Sequence, residues 1–356
     1  MSRLPLFKHS PIVVPLKSRM PKLSLDTSQQ EETPSLPSEY LSQTAGPSQY
    51  IQDPSSSRKL LVLDLNGTLL LRPKHRPKAK DSSVRSARPT HPRPYIPSFR
   101  EYISHPKTTS WLDTMVWSSA QPHSVKEMVE KCFGHKTCLK ALLARDMFGL
   151  DPELYAKKTP TTKDLSIIWN ASTFTSSPSL ASLISDNITE DPPKISHSAA
   201  TTVLLDDSPR KARLQPWNHI CIQEYDKGLR KADLDVWESL KVPSNKPKKT
   251  KRTKPSTDAA VAEVESVATE LVPTTPKGKY EETLLAVIGV LEALKHQSNV
   301  AAWIRDGGLL KTGTDEPLPD SGTMWFNNAE VANRWTEKGR SALNELGIDI
   351  ESGVRG

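Results

Sequence analysis

LLVLDLNGTLL, residues 60–70, is the stretch whose reading decides the fold. With Lys59 in front, an unbroken apolar run leads to Asp64, and the chain then turns through Asn66 and Gly67 into Thr68. A continuous apolar run closed by an Asn-Gly turn is the pattern of a strand buried on both faces of a parallel sheet. Working outward, similar strands are expected at DTMVWSS, 113–119, at TTVLLDD, 201–207, and at HICI, 219–222. Helices are expected between them. SVKEMVEKCF, with Ser124 as N-cap, places Val125, Met128, Val129 and Phe133 on or near one face; TCLKALLARDMFG follows and stops at Gly149; KDLSIIWN begins at Lys163. Strands alternating with helices imply an α/β fold, a doubly wound, Rossmann-like and mostly parallel sheet whose ligands bind at the carboxyl ends of the strands. Asp64, Ser118, Asp206 and Asp207 all fall at such ends.

The chain has 356 residues, of which 30 are proline and 6% aromatic, so much of it lacks the apolar content of a packed core. One substantial domain with thin flanks is expected: a disordered segment over 1–57, the globular domain over 58–240, a basic disordered linker over 241–276, and a small helical C-terminal module over 277–352. In that module KYEETLLAVIGVLEALKH, 279–296, and FNNAEVANRWTEKGRSALNELG, 326–347, carry apolar stripes suited to a small bundle or to docking on the main domain. The Ser/Thr-rich stretch 171–198 reads as an excursion from the core, either a cap over the site or a mobile loop. Three cysteines without CxxC spacing point to reduced thiols, with neither a disulfide framework nor a zinc site.

Charge is concentrated. Of the formal net +7, eleven Lys or Arg stand between Arg58 and Arg100 against Asp64 and Asp81. An acidic partner near the first motif is the functional reading, and a solvated basic loop the plain one. The linker's KPKKTKRTK, 246–254, suits nuclear import or nucleic-acid contact, or is simply a solvated spacer. The first 25 residues hold basic residues and no acid, as transit peptides do, but Pro5, Pro11, Pro15 and Pro21 oppose the amphipathic helix such a peptide forms. A nuclear or cytoplasmic location is therefore expected, with a mitochondrial one as the alternative. No apolar run approaches the roughly 18–20 residues of a membrane span; TLLAVIGVLEAL, from Thr283, is short and contains Glu292. The sequence is silent on oligomeric state.

A carboxylate at the end of a buried strand, followed by a tight turn and Thr, is a nucleophile toward phosphorus once a divalent cation neutralises the approaching anions. Alone, Asp64 could be a turn residue, Lys163 a helix-terminal lysine, and Asp206 the N-cap of a helix starting at Ser208 or Pro209. Their joint order argues for chemistry: nucleophile, hydroxyl donors in VWSSAQ, the lysine of KDL, and the carboxylate pair of LLDDSPRKA.

In that order the sequence resembles the haloacid dehalogenase superfamily. The likeness lies in the branch of RNA polymerase II C-terminal-domain phosphatases, NLI-interacting-factor-like proteins and the presequence-receptor subunit of the mitochondrial inner-membrane translocase. RPYIPSF, 93–99, looks like that branch's arginine-proline segment, and the likeness covers roughly residues 58–226. The resemblance implies that Asp64 takes up phosphate and, with the backbone carbonyl of Asn66 and with Asp206 and Asp207, holds Mg²⁺. It further implies that Thr68, Ser118 or its neighbour Ser119, and Lys163 bind the phosphoryl group. The family's second aspartate protonates the leaving oxygen and activates water; here that position is Asn66, whose carboxamide can do neither. A phosphoserine or phosphothreonine protein substrate hydrolysed slowly is the expectation. A catalytically impaired scaffold, like the translocase receptor subunit, is the alternative.

Overall fold

The computed structural model describes residues 36–73, 88–134, 138–157, 159–170, 197–241, 278–311 and 324–355. Four expectations lie wholly or mainly outside these residues: the N-terminal targeting pattern, the basic run through 74–87, the excursion over 171–196 and the basic linker from 242 to 277. In chain order the described elements begin with α1 (Ser38–Thr44), β1 (Lys59–Leu63), β2 (Leu70–Leu71), β3 (His91–Pro92), α2 (Ile96–Ser104), α3 (Pro106–Thr109), β4 (Leu112–Trp117) and α4 (Pro122–Phe133). They continue with β5 (Leu142–Leu143), α5 (Pro152–Tyr155), α6 (Ser166–Trp169), β6 (Thr202–Asp206), β7 (His219–Cys221) and α7 (Lys227–Lys241). Last come α8 (Thr283–Leu294), α9 (Val300–Arg305) and α10 (Ala329–Leu346).

The expected parallel sheet is present, in the order β5-β4-β1-β6-β7, with every pair parallel. β1 is central and buried throughout. Because side chains alternate along a strand, Leu61 and Leu63 enter one core with Val116, Val203, Leu205 and Ile220, covered by α2, α4, α8 and α10. Leu60 and Val62 enter a smaller core on the opposite face with Met115, Trp117 and Leu204, closed by Leu165, Ile168 and Ala212. The register pairs Leu63 with Val116 and with Leu205, so Asp64 emerges level with the ends of β4 and β6.

Several local expectations are corrected. The helix read over 137–149 is instead the edge strand β5 followed by a 3-10 turn over Arg145–Phe148, although Gly149 does end it in the left-handed conformation. Short apolar runs do not separate strand from helix, and here the edge of β4 takes the segment's backbone: Lys140 N–H donates to Thr114 O at 2.8 Å and Ser118 N–H to Leu143 O at 2.9 Å. The helix read from Lys163 is the single turn α6; Lys163 precedes it in a loop, its N–H donating to Lys211 O at 2.8 Å. Ser124 lies inside α4, which starts earlier at Pro122 with Gln121 as its N-cap. The disorder expected over 1–57 does not hold for 36–57. There α1 buries Tyr40, which stacks on Trp217 at 5.5 Å and accepts its N–H, a partner 177 residues away that composition cannot reveal.

The C-terminal helices both pair with each other and dock on the sheet domain. α8 is apolar on nearly every side, Glu292 apart, and accordingly is enclosed within the core. Among the described residues no helix is long and apolar enough to cross a membrane. α8 and α10 cross at Gly289 and Gly339, where a β-carbon on either glycine would overlap the facing carbonyl oxygen of Trp335 or Leu285. In an open helix Gly→Ala favours folding by up to about 1 kcal/mol. Here overpacking outweighs propensity, and Gly339→Ala is expected to destabilise the protein by about 1–3 kcal/mol in chemical denaturation; a gain in stability would contradict the close crossing.

At the opposite end of the sheet from the Asp64 turn, Asp113 receives Arg58 at 2.6 Å and faces His197 Nε2 at 3.3 Å. Burial alone would raise its carboxyl, but the hydrogen bonds from His197 and Arg58 and the Arg58 charge outweigh it and hold it at about 2. A depressed carboxyl contributes stability above its unfolded value near 4 and loses it as pH falls through the folded one. On acidification from about pH 5 to about pH 2, the wild type is expected to lose about 1–2 kcal/mol more than Asp113→Asn, after allowance for solvent screening. Parallel denaturation curves at each pH would check it.

Candidate active site

The site forms where β1, β4 and β6 end. Asp64 follows β1 with its N–H on Leu205 O at 3.0 Å, which fixes it beside Asp206, the last residue of β6. Asp64 and Asp206 are buried and Asp207 nearly so, and each offers an oxygen within 4.8 Å of the others. Gly67 lets Asp207 come close: its φ is +92°, and a β-carbon there would stand 2.8 Å from the Asp207 carboxylate.

Two ammonium groups offset part of this charge. Lys163 Nζ is fully buried, 2.8 Å from Asp64 Oδ1 and 2.7 Å from Asp206 Oδ2. Lys211 Nζ lies 3.2 Å from Asp64 Oδ2, 3.0 Å from Asp206 Oδ1 and 3.9 Å from Asp207 Oδ1. Burial alone would raise the Asp206 carboxyl; Lys163 and Lys211 reverse this and bring it to about 2. Asp207 is pushed up to about 6 by burial, and the Asp206 and Asp64 charges add to this against the pull of Lys211. Burial would lower the Lys211 ammonium, but the three carboxylates hold it well above the ordinary lysine range.

The other residues anticipated from sequence divide by position. Thr68 is buried; its hydroxyl donates to Asp207 Oδ1 at 3.0 Å and accepts the Asp207 N–H at 3.1 Å, so it is engaged with Asp207. Ser118 is buried just beyond β4, its hydroxyl accepting the Ala120 N–H, whereas Ser119 is half-buried and its carbonyl accepts from Arg145. Asn66 is exposed, and its Oδ1 accepts the Arg72 N–H at 2.7 Å. Asp206 is not the N-cap of the turn that follows, since Ser208 holds that position before Pro209–Ala212, but its Oδ1 accepts the Ser208 N–H at 2.9 Å while the carboxylate pairs with the lysines.

Sequence reasoning missed Lys211, although its place four residues after Asp207, on the 3-10 turn Pro209–Ala212, was a usable signal. It also missed the support behind the turn. Buried Arg93 donates to Thr68 O and Gln223 O, each at 2.8 Å, and pairs with Glu281 at 2.9 Å, while Tyr225 N–H donates to Gly67 O at 2.6 Å. Asp233 of α7 closes the set by accepting from Tyr225 OH and from Glu281 N–H. Glu281 is 188 residues from Arg93, and no local pattern joins them.

An all-oxygen donor set, largely buried and net acidic, suits a hard divalent cation, and the three carboxylates could hold one. The Arg93 cluster supplies a stability test. Arg93→Met leaves Glu281 buried without its partner and should cost about 3–5 kcal/mol in denaturant unfolding, with a substantial part recovered in Arg93→Met/Glu281→Leu. Additive single and double effects would show that the pair is not coupled.

Residues 59–242 match the family described as NLI interacting factor-like phosphatase. An uncharacterized FCP1 homology domain-containing protein of Schizosaccharomyces pombe is 30% identical over 173 residues, covering 48% of this chain and 63% of the relative. The chain thus spans a little under two thirds of that protein's length. With more than half of its residues matched and the parallel sheet and acidic site in place, the chain belongs to the NLI interacting factor-like phosphatase family, whose homology domain is phosphatase-like and of the haloacid dehalogenase superfamily.

Proposed function

We propose that this domain transfers phosphoryl groups from phosphoserine or phosphothreonine of a protein onto Asp64, and that Asn66 makes the turnover slow. The observation that carries the reading is the pairing of Asp64 with Lys163 at 2.8 Å inside a cluster of carboxylates. Lys163 holds one Asp64 oxygen and offsets the charge of an arriving phosphate. Ser118, or Ser119 beside it, donates a hydrogen bond to the phosphoryl oxygens, and Thr68 acts through Asp207, whose position its hydroxyl sets. Asp64, Asp206, Asp207 and the backbone carbonyl of Asn66 would hold Mg²⁺. Bound there, the cation would neutralise the transferring group's charge and screen it from the carboxylates.

Asn66, exposed two residues after Asp64, occupies the sequence position where the family resemblance implies a general acid. Its carboxamide cannot give up a proton, and general acid–base catalysis is worth ~10²- to 10⁴-fold, or roughly 3–5.5 kcal/mol of barrier. Spontaneous deamidation to restore an acid is opposed: Gly67 N–H, the nitrogen that would attack, donates to Leu70 O at 2.8 Å, and Asn66 Oδ1 is tied to Arg72. An aspartate at 66 could accept the same Arg72 N–H with one oxygen and present the other to substrate. The same substitution favours a second reading, in which the domain binds phosphorylated or acidic peptides without turning them over.

Full-length protein assayed with Mg²⁺ separates these readings. Asn66→Asp is expected to raise the rate on a phosphoserine peptide by ~10²- to 10⁴-fold, with less gain on an aryl phosphate, whose leaving group needs the proton less. Adding Asp64→Ala should abolish the gain. An Asn66→Asp protein no faster than wild type would remove residue 66 as the missing acid and leave the binding reading.

A further inference from the structure

The two lysines divide the carboxylate oxygens between them. Lys163 takes Oδ1 of Asp64 and Oδ2 of Asp206; Lys211 takes Oδ2 of Asp64 and Oδ1 of Asp206, and reaches toward Asp207 as well. Of the two, Lys211 alone is within 4.0 Å of all three acids, so its ammonium lies among the oxygens that a divalent cation would use. Magnesium draws oxygen ligands to about 2.0–2.1 Å, and two cations cannot be packed against the same carboxylate atoms without strong repulsion.

We propose that Lys211 is a tethered counter-ion of this site, an internal cation that a divalent metal must displace before the carboxylates can hold it. The proposal rests on the reading of Asp64, Asp206 and Asp207 as the metal-holding set. Three carboxylates facing two ammonium groups leave one net negative charge; without Lys211 the site would carry two and would attract a divalent ion more strongly.

The lysines differ in freedom. Lys163 is fully buried, with its nitrogen between two carboxylates. The Lys211 side chain keeps 17% of its surface exposed. Its backbone is anchored, the N–H donating to Ser208 O at 3.1 Å and the carbonyl accepting Lys163 N–H at 2.8 Å, while its four-carbon stem can turn outward from that fixed base. The site is thereby charge-compensated in part before metal arrives, and metal affinity is set by the contest with Lys211.

Calorimetric titration of the full chain with MgCl₂ tests the contest. Lys211→Met is expected to bind Mg²⁺ at least about tenfold more tightly than wild type, since a like charge has left the site. A second measurement needs no variant: Mg²⁺ should raise several-fold the labelling of Lys211 by an amine-acylating reagent, read by peptide mass mapping, while Lys163 stays unlabelled. Equal or weaker Mg²⁺ affinity in Lys211→Met, with binding by wild type intact, would overturn the role of Lys211 and leave the metal site standing. Absence of Mg²⁺ uptake by both proteins would overturn the metal site and this proposal together. Should Lys211→Met not fold, labelling of wild-type Lys211 that Mg²⁺ leaves unchanged at saturation is the refuting result.

Discussion

Three carboxylates crowded at the ends of adjacent buried strands are the constraint around which this domain is organised. Taking such charges out of water is costly unless opposite charges and hydrogen bonds meet them. Lys163 and Lys211 do so from two different segments, and the backbone bond between Lys163 N–H and Lys211 O ties those segments together. Charge balance and backbone structure thus require each other: the loop before α6 and the turn after β6 hold the lysines, and the lysines make the buried acids tolerable.

The turn that carries Asp64 is held from behind by residues far away in sequence. Arg93 gathers the Thr68 and Gln223 carbonyls and the Glu281 carboxylate, and Tyr225 secures Gly67. Since Glu281 leads into α8, the C-terminal helices are joined to the Asp64 turn by a buried ion pair as well as by apolar packing. The apolar character of α8, which would be puzzling on an isolated module, follows from its enclosure by α2 and α10 against the sheet. The support behind the Asp64 turn and the packing of the C-terminal helices therefore belong to one continuous core.

Asn66 occupies a different kind of position. It is exposed, its side chain serves the turn through the Arg72 N–H, and neither carboxylate balance nor core packing depends on it. A change there leaves the lysine–carboxylate framework in place, so variation at residue 66 and persistence of the fold are physically compatible.

The sequence by itself determined the four strands β1, β4, β6 and β7 of the sheet and the place of the acidic cluster at their ends. Buried parallel strands are written as local apolar runs, and Asp64, Ser118, Asp206 and Asp207 sit directly at their ends. Lys163 was legible from its company in KDL, though its loop conformation was not. Tertiary structure alone decided that 140–143 joins a sheet edge rather than a helix, that Tyr40 orders a Pro- and Ser-rich segment against Trp217, and that Thr68 serves Asp207. It alone brought Lys211 among the acids and Glu281 to Arg93. The reason is common to all of these: apolar periodicity is a local property of the chain, whereas the partner of a buried polar group is chosen by which distant segment folding delivers within hydrogen-bonding reach.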